Sequence, residues 1–132
     1  MSDTHPTESG HRNHSRAESF RHAFAGSWYA LRTQHNTWIH GFFTVAVLAV
    51  GFWLRLQPSD WALLVLAMGL VWTTEFFNTA IEAIVDLASP EYHRLAKIGK
   101  DVSAGAVLAG AITAAIIGLL VLAPPLLDRL LP

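Results

Sequence analysis

WALLVLAMGLVWTTEFFNTAIEAIVD, residues 61 to 86, opens as an unbroken apolar run and closes carrying Glu75, Asn78, Glu82 and Asp86. The run is long enough to cross a hydrocarbon core, which takes about 20 helical residues. A segment in that core is a helix because it must satisfy its own backbone groups. At about 100° per residue the four polar side chains fall within an arc of roughly 80°, while Phe76, Phe77, Ile81 and Ile84 point elsewhere. They form one polar stripe. With Trp61 at the outer boundary, Glu75 lies about 21 Å inward of a core about 30 Å thick. Glu82 is about 10 Å further on and is expected at the opposite interface, with Asp86 beyond it. A carboxylate at the depth of Glu75 is costly unless it is neutral, paired or facing a wet cavity. At this point three readings stand: hydrogen bonds that hold helices together, a relay for protons or cations, and proton abstraction in catalysis.

The rest of the chain sets the context. It has 132 residues, 52% of them hydrophobic and 14% charged, with a mean hydropathy of +0.36. That is one domain's length and too apolar for an ordinary soluble protein. Cysteine is absent, which excludes disulfides and thiolate-based metal or redox sites. A net charge of −1 gives no pull toward nucleic acid, and none is expected as a partner. The first apolar segment is too long and too far along the chain for a simple cleaved signal.

Residues 1–14 are polar and without apolar period, and are expected to be a disordered tail in which His11 and His14 are solvated rather than metal-bound. Ser15 and Glu18 have capping-box spacing, which starts a helix over 15–35. Phe20, Phe24, Trp28 and Leu31 recur on one face of it, with Arg21, His22 and Arg32 between them. Such a helix either lies in the membrane interface or packs on the rest of the protein. Residues 36–132 then form a three-span domain, with spans at about 38–55, 61–86 and 102–123, the last stopping before Pro124 and Pro125. The expected fold is therefore all-α and integral to the membrane: an N-terminal interfacial amphipathic helix plus three transmembrane helices.

Arg12, Arg16, Arg21 and Arg32 precede the first span, and Arg94, Lys97 and Lys100 lie between the second and third; only Arg55 and Arg129 lie on the other side. The positive-inside rule places the N-terminus and the 87–101 loop in the cytoplasm and the C-terminus outside. In the third span Gly105, Ala106, Ala109, Gly110, Ala114 and Gly118 fall at four-residue spacings, which lets helices approach closely within a chain or between chains. Three spans make a thin bundle, so an oligomer is expected.

The segment SPEYHRLAKIGKD, residues 89–101, bears on the three readings. Ser89 and Pro90 break the helix, and a new turn carries His93, Lys97 and Asp101 at four-residue spacing with Lys100 alongside. Lysines beside a carboxylate stripe suit a polyphosphate and its metal, since carboxylates hold Mg²⁺ while leaving positions for water and phosphate. By itself the loop also fits a basic cluster attracted to anionic lipid.

Together, EFFNTAIEAIVD and EYHRLAKIGKD resemble the signature of the small prokaryotic diacylglycerol kinase family, which includes undecaprenol kinases: Glu75, Asn78, Glu82, Ala83, Asp86, His93, Ala96, Lys97, Lys100 and Asp101 have its spacing. The likeness extends back through SFRHAFAG, residues 19–26, and Asn36 to His40. The resemblance implies a trimeric lipid kinase of the bacterial cytoplasmic membrane that passes the γ-phosphoryl of MgATP to diacylglycerol or undecaprenol, with sites between subunits. The chain lacks a GxxxxGK[ST] loop and a kinase Gly-rich loop, in keeping with a family that has no soluble-kinase fold. By position, the resemblance makes Glu75 the general base, Asn78 its orienter or a lipid contact, and Glu82 the metal ligand. Asp86, Glu91, Tyr92, His93, Lys97, Lys100 and Asp101 become nucleotide contacts.

The sequence departs from the family in one place. Where many members carry a metal-binding Glu in a stretch resembling E-x-N, this chain has Gln34, His35 and Asn36. Gln34 still offers a carbonyl oxygen to Mg²⁺ but no charge. The alternatives to a kinase are a small oligomeric transporter relaying protons or cations through Glu75 and Glu82, and a catalytically silent relative.

Overall fold

Four helices follow one another in the computed structural model, which describes residues 16–131 with the side chain of His35 excepted: α1 (Arg16–Thr33), α2 (His35–Leu54), α3 (Pro58–Ala88) and α4 (Arg94–Leu130). No strand occurs among the described residues. The expected tail and Ser15, with its side of the expected capping box, lie outside them. Three helices are long and apolar enough to cross a membrane: α2 from Asn36, α3 and α4. Large apolar side chains point outward along them, such as Leu66, Phe77, Leu108 and Leu120. Hydrocarbon rather than water is the solvent this surface fits. The chain is an all-α integral membrane protein.

α1 has Glu18 in its first turn and Arg32 in its last, each placed against the helix dipole with the favourable sign. Only Ala30 of this helix is buried; Phe20, Phe24 and Trp28 are exposed. Its aromatic face is therefore left uncovered by the other described residues. Gln34 is the joint to α2. Its extended backbone (φ −99°, ψ 121°) interrupts the helix for one residue. The Gln34 N–H still donates to the Ala30 carbonyl at 3.2 Å, and the Thr37 N–H to the Gln34 carbonyl at 3.3 Å.

The α2–α3 turn is tight because Arg55 adopts the left-handed conformation (φ 56°). From there the Arg55 N–H reaches the Phe52 carbonyl and the Leu56 N–H the Gly51 carbonyl, both at 3.2 Å, which is a Schellman closure. Pro58 then opens α3, where its missing N–H costs nothing. Gly51 is required by close approach: a Cβ there would lie 2.8 Å from the Trp61 ring, which is itself stacked at a tilt on Phe52.

At about 1.5 Å per residue α3 is about 46 Å long and α4 about 55 Å, against a core of about 30 Å. Both helices therefore project beyond the membrane, and they pack mainly on each other. Leu64, Ala67 and Val71 of α3, with Val107 and Gly110 of α4, are buried along their length. Gly110 marks a close approach of the two helices, since a Cβ on it would lie 3.0 Å from Thr74 Oγ1. Gly105 and Gly118, also in the small-residue pattern, meet nothing within 4 Å.

The third span does not stop before Pro124 as the sequence suggested: α4 runs through Pro124 and Pro125 to Leu130. The fixed φ of proline is compatible with a helix, but each ring also removes an N–H donor and crowds the carbonyl four residues back. The far end is held from outside by the Arg129 guanidinium, which lies over the Trp53 ring of α2 at 5.0 Å. His93 is likewise not inside the new helical turn but caps it, and that turn is continuous with the span.

The approach at Gly110 sets the α3–α4 distance, so Gly110→Leu is expected to cost about 1–3 kcal/mol through overpacking. Reversible unfolding in mixed micelles checks this, with the exposed Gly105→Leu as a control of little effect.

Candidate active site

The polar stripe of α3 is present and graded. Glu75, at 1% exposure, and Asn78 are buried, Glu82 is half-buried and Asp86 is exposed. Helical spacing alone puts all four on one side, and the projection of α3 beyond the core puts their lower members in water.

Asn78, Glu82, Gln34 and Ser103 form one hydrogen-bonded chain. Ser103 Oγ, buried on α4, donates to Asn78 Oδ1 at 2.7 Å. Asn78 Nδ2 donates to Glu82 Oε1 at 3.3 Å, and Gln34 Nε2 donates to Glu82 Oε2 at 3.0 Å. The carboxylate can only accept, which fixes both amides with their NH₂ groups toward it. Asn78 thus engages Glu82 and Ser103 rather than Glu75. Gln34 is brought to Glu82 from 48 residues away by the break between α1 and α2.

Glu75 sits one turn away and is differently served. Neither of its oxygens has a hydrogen-bond partner among the described residues. His40 of α2 approaches it, with Nε2 3.6 Å from Oε2. His40 also lines an apolar groove of about 530 Å³ between α2, α3 and α4, with Phe43, Thr44, Val71 and Ala111 among its walls.

The lysines lie at the other end. Lys100 Nζ donates to both oxygens of Asp86, at 2.9 and 3.2 Å, and so joins α4 to the tip of α3. Lys97 pairs with Asp101 one turn on, both well exposed. His93 caps α4 by accepting the Leu95 N–H on Nδ1 at 3.2 Å. Glu91 and Tyr92 are exposed in the short loop, where Ser89 Oγ donates to the Glu91 carbonyl at 3.0 Å. The structure therefore gathers Gln34, Asn78 and Glu82 into one cluster and sets Asp86 with Lys100 beside the solvent. Glu75 stands apart from both.

Sequence reasoning overlooked Ser103 and the contact made by His40. Ser103 was findable as the polar residue on the α4 face that follows Lys100 by three. His40 carried the plainer signal of an ionisable group inside a span.

No group of three or more His, Cys, Asp or Glu that could hold a metal occurs among the described residues. Mg²⁺, however, is commonly held by one or two carboxylates together with substrate phosphates and water. Glu82, with the carbonyl oxygen of Gln34 beside it, fits that smaller requirement.

These features define a class: a small three-span membrane protein with a carboxylate–amide cluster where α3 and α4 leave the core. The family model described as prokaryotic diacylglycerol kinase matches residues 21–122. The chain is 50% identical over 111 residues to a diacylglycerol kinase of Synechocystis, an overlap covering 83% of this chain and 63% of that protein. It is 42% identical over 109 residues to an undecaprenol kinase of Bacillus subtilis, covering 83% and 89%. Identity to a diacylglycerol kinase of Escherichia coli is 34% over 97 residues, covering 68% and 77%. This chain belongs to the prokaryotic diacylglycerol kinase family.

The Ser103–Asn78 bond is expected to couple α4 to the cluster by about 1 kcal/mol. A double-mutant cycle with Ser103→Ala and Asn78→Ala, read by unfolding in micelles, measures it; a coupling of zero would show that the two side chains act independently.

Proposed function

We propose that this chain is an ATP-dependent lipid kinase that phosphorylates the hydroxyl of a membrane lipid, diacylglycerol or undecaprenol. The carrying observation is the grading of one line of groups: a buried carboxylate (Glu75), then a half-buried carboxylate held by amides (Glu82), then an exposed lysine–aspartate pair (Lys100 and Asp86). A lipid hydroxyl lies at the membrane boundary and a nucleotide in water, so a reaction joining them needs its proton acceptor submerged and its phosphate groups outside. The names of the relatives support the kinase and do not favour the transporter.

In this reading Glu75 takes the proton as the acceptor O–H bond breaks. The lipid oxygen then bonds to the γ-phosphorus while the bond from that phosphorus to the β–γ bridging oxygen breaks, releasing ADP. Glu82, with the Gln34 carbonyl, would hold Mg²⁺, which when bound neutralises phosphate charge. Asn78 keeps Glu82 aimed through its tie to Ser103. Lys100 exchanges Asp86 for phosphate oxygens, and Lys97, Asp101 and the loop residues Glu91, Tyr92 and His93 border the nucleotide. The basic residues before α2 and around the start of α4 support a cytoplasmic N-terminus and loop in the bacterial inner membrane. The family resemblance supports a homotrimer.

The test is phosphoryl transfer from labelled ATP in lipid nanodiscs with Mg²⁺, diacylglycerol and undecaprenol being offered separately. Transfer to one lipid is expected, abolished by Glu75→Gln with the oligomer intact, whereas Lys100→Ala chiefly raises the KM for ATP. A folded protein that transfers to neither lipid but passes ions in a Glu75-dependent manner would point to the transporter.

Gln34 supplies a second, narrower expectation. Gln34→Glu replaces a neutral donor by a second carboxylate and should lower the Mg²⁺ concentration giving half-maximal activity by about tenfold, near 1.4 kcal/mol. An unchanged Mg²⁺ dependence would remove Gln34 from the ligands.

A further inference from the structure

Resting on the kinase reading above, Glu75 poses a problem the motif does not address. Its carboxylate is 1% exposed and neither oxygen has a hydrogen-bond partner among the described residues. Its neighbours along α3, Val71 and Thr79, are buried too. The Thr79 hydroxyl is directed at the Glu75 backbone carbonyl at 3.0 Å, not at the carboxylate. A charge in such surroundings needs a partner, and an unheld carboxylate samples several rotamers when one geometry is wanted.

His40 is the side chain placed to answer this. Its Nε2 lies 3.6 Å from Glu75 Oε2, and the ring is mostly buried, at 15% exposure. The contact joins α2 to α3 at the level where α3 carries its deepest carboxylate. At 3.6 Å it is a close polar contact; an approach of about 0.6 Å makes it a hydrogen bond of ordinary length. His40 also lines the apolar groove between α2, α3 and α4, whereas Glu75 is not among the residues lining it. The imidazole thus touches both the buried carboxylate and a space open to hydrocarbon.

We propose that His40 is the positioning residue of Glu75: its Nε2–H donates to Oε2, fixing the carboxylate so that Oε1 is the oxygen left to receive the proton of the acceptor hydroxyl. His40 neither binds nucleotide nor exchanges the proton; it acts through Glu75. The role requires an N–H donor on α2 and no more, so an amide of similar reach replaces it and a hydrocarbon side chain does not.

Two measurements on the full chain in nanodiscs test this. In ¹⁵N-histidine-labelled protein the His40 signals are assigned by their loss in His40→Gln, and Glu75→Gln is expected to shift the Nε2 resonance. An unmoved resonance would overturn the contact, whatever the protein's activity. In the transfer assay His40→Leu is expected to lower kcat about tenfold or more with the KM for ATP within about twofold, while His40→Gln stays within about threefold of the unmodified protein. Equal loss in both variants, or none in His40→Leu, would overturn the positioning role. Should His40→Leu fail to assemble, the resonance shift and His40→Gln decide the matter. Absence of transfer by the unmodified protein with every lipid would instead sink the kinase reading, leaving the His40–Glu75 contact to the resonance alone.

Discussion

A single buried hydrogen bond, from Ser103 Oγ to Asn78 Oδ1 at 2.7 Å, sets the register of α4 on α3 at the level of the site. Sliding one helix by a residue would separate this pair, and with it Lys100 from Asp86, because both contacts depend on the same alignment. The orientation of Asn78 follows from Glu82, whose carboxylate can only accept. With Oδ1 taken by Ser103, Nδ2 is turned to Glu82, and Glu82 in turn receives the amide of Gln34. A serine on the last helix is thereby linked, through a carboxylate on the preceding helix, to a residue just past the end of the first. The energy of one such bond in a membrane is modest, about 1 kcal/mol. Its importance is directional: it is one of few polar contacts in a bundle otherwise held by apolar surfaces that slide easily.

That bundle owes its function to a mismatch of lengths. A helix that only spanned the core would place all its polar groups in hydrocarbon or none of them. α3 and α4 exceed the core by roughly half their length or less, enough to carry a stripe from apolar surroundings into water without a loop. The gradient from Glu75 to Asp86 is a consequence of continuous helix, and it needs no separate domain to bring a phosphate donor to a lipid.

Much of this could be read from residue order. Long apolar runs fixed the three spans, because a backbone in hydrocarbon has few alternatives, and spacing alone gathered the stripe of α3. The errors came where context outweighs local rule. Pro124 and Pro125 look like a stop, but Arg129 finds Trp53 on α2 and the helix continues. Ser103 carried no signal of its own in the sequence, and its value depends on facing Asn78, a distance of 25 residues along the chain. His40 likewise gains meaning only from the crossing of α2 and α3. The small-residue pattern of α4 was real yet ambiguous: Gly110 uses it within the chain, while Gly105 and Gly118 do not.

Gln34 shows how a departure from a family pattern can be physically coherent. Two carboxylates at hydrogen-bond distance repel unless a cation or proton lies between them. With Gln34 the amide instead donates to Glu82, and no second negative charge is set against it. The exchange favours a site already ordered before a cation arrives and weakens its electrostatic attraction for one. Any cation bound there must compete with the amide for Glu82 Oε2, and the same amide has a carbonyl oxygen with which to join the ligands. The substitution therefore shifts the balance between an ordered resting site and metal affinity, and leaves the donor chain from Ser103 through Asn78 in place.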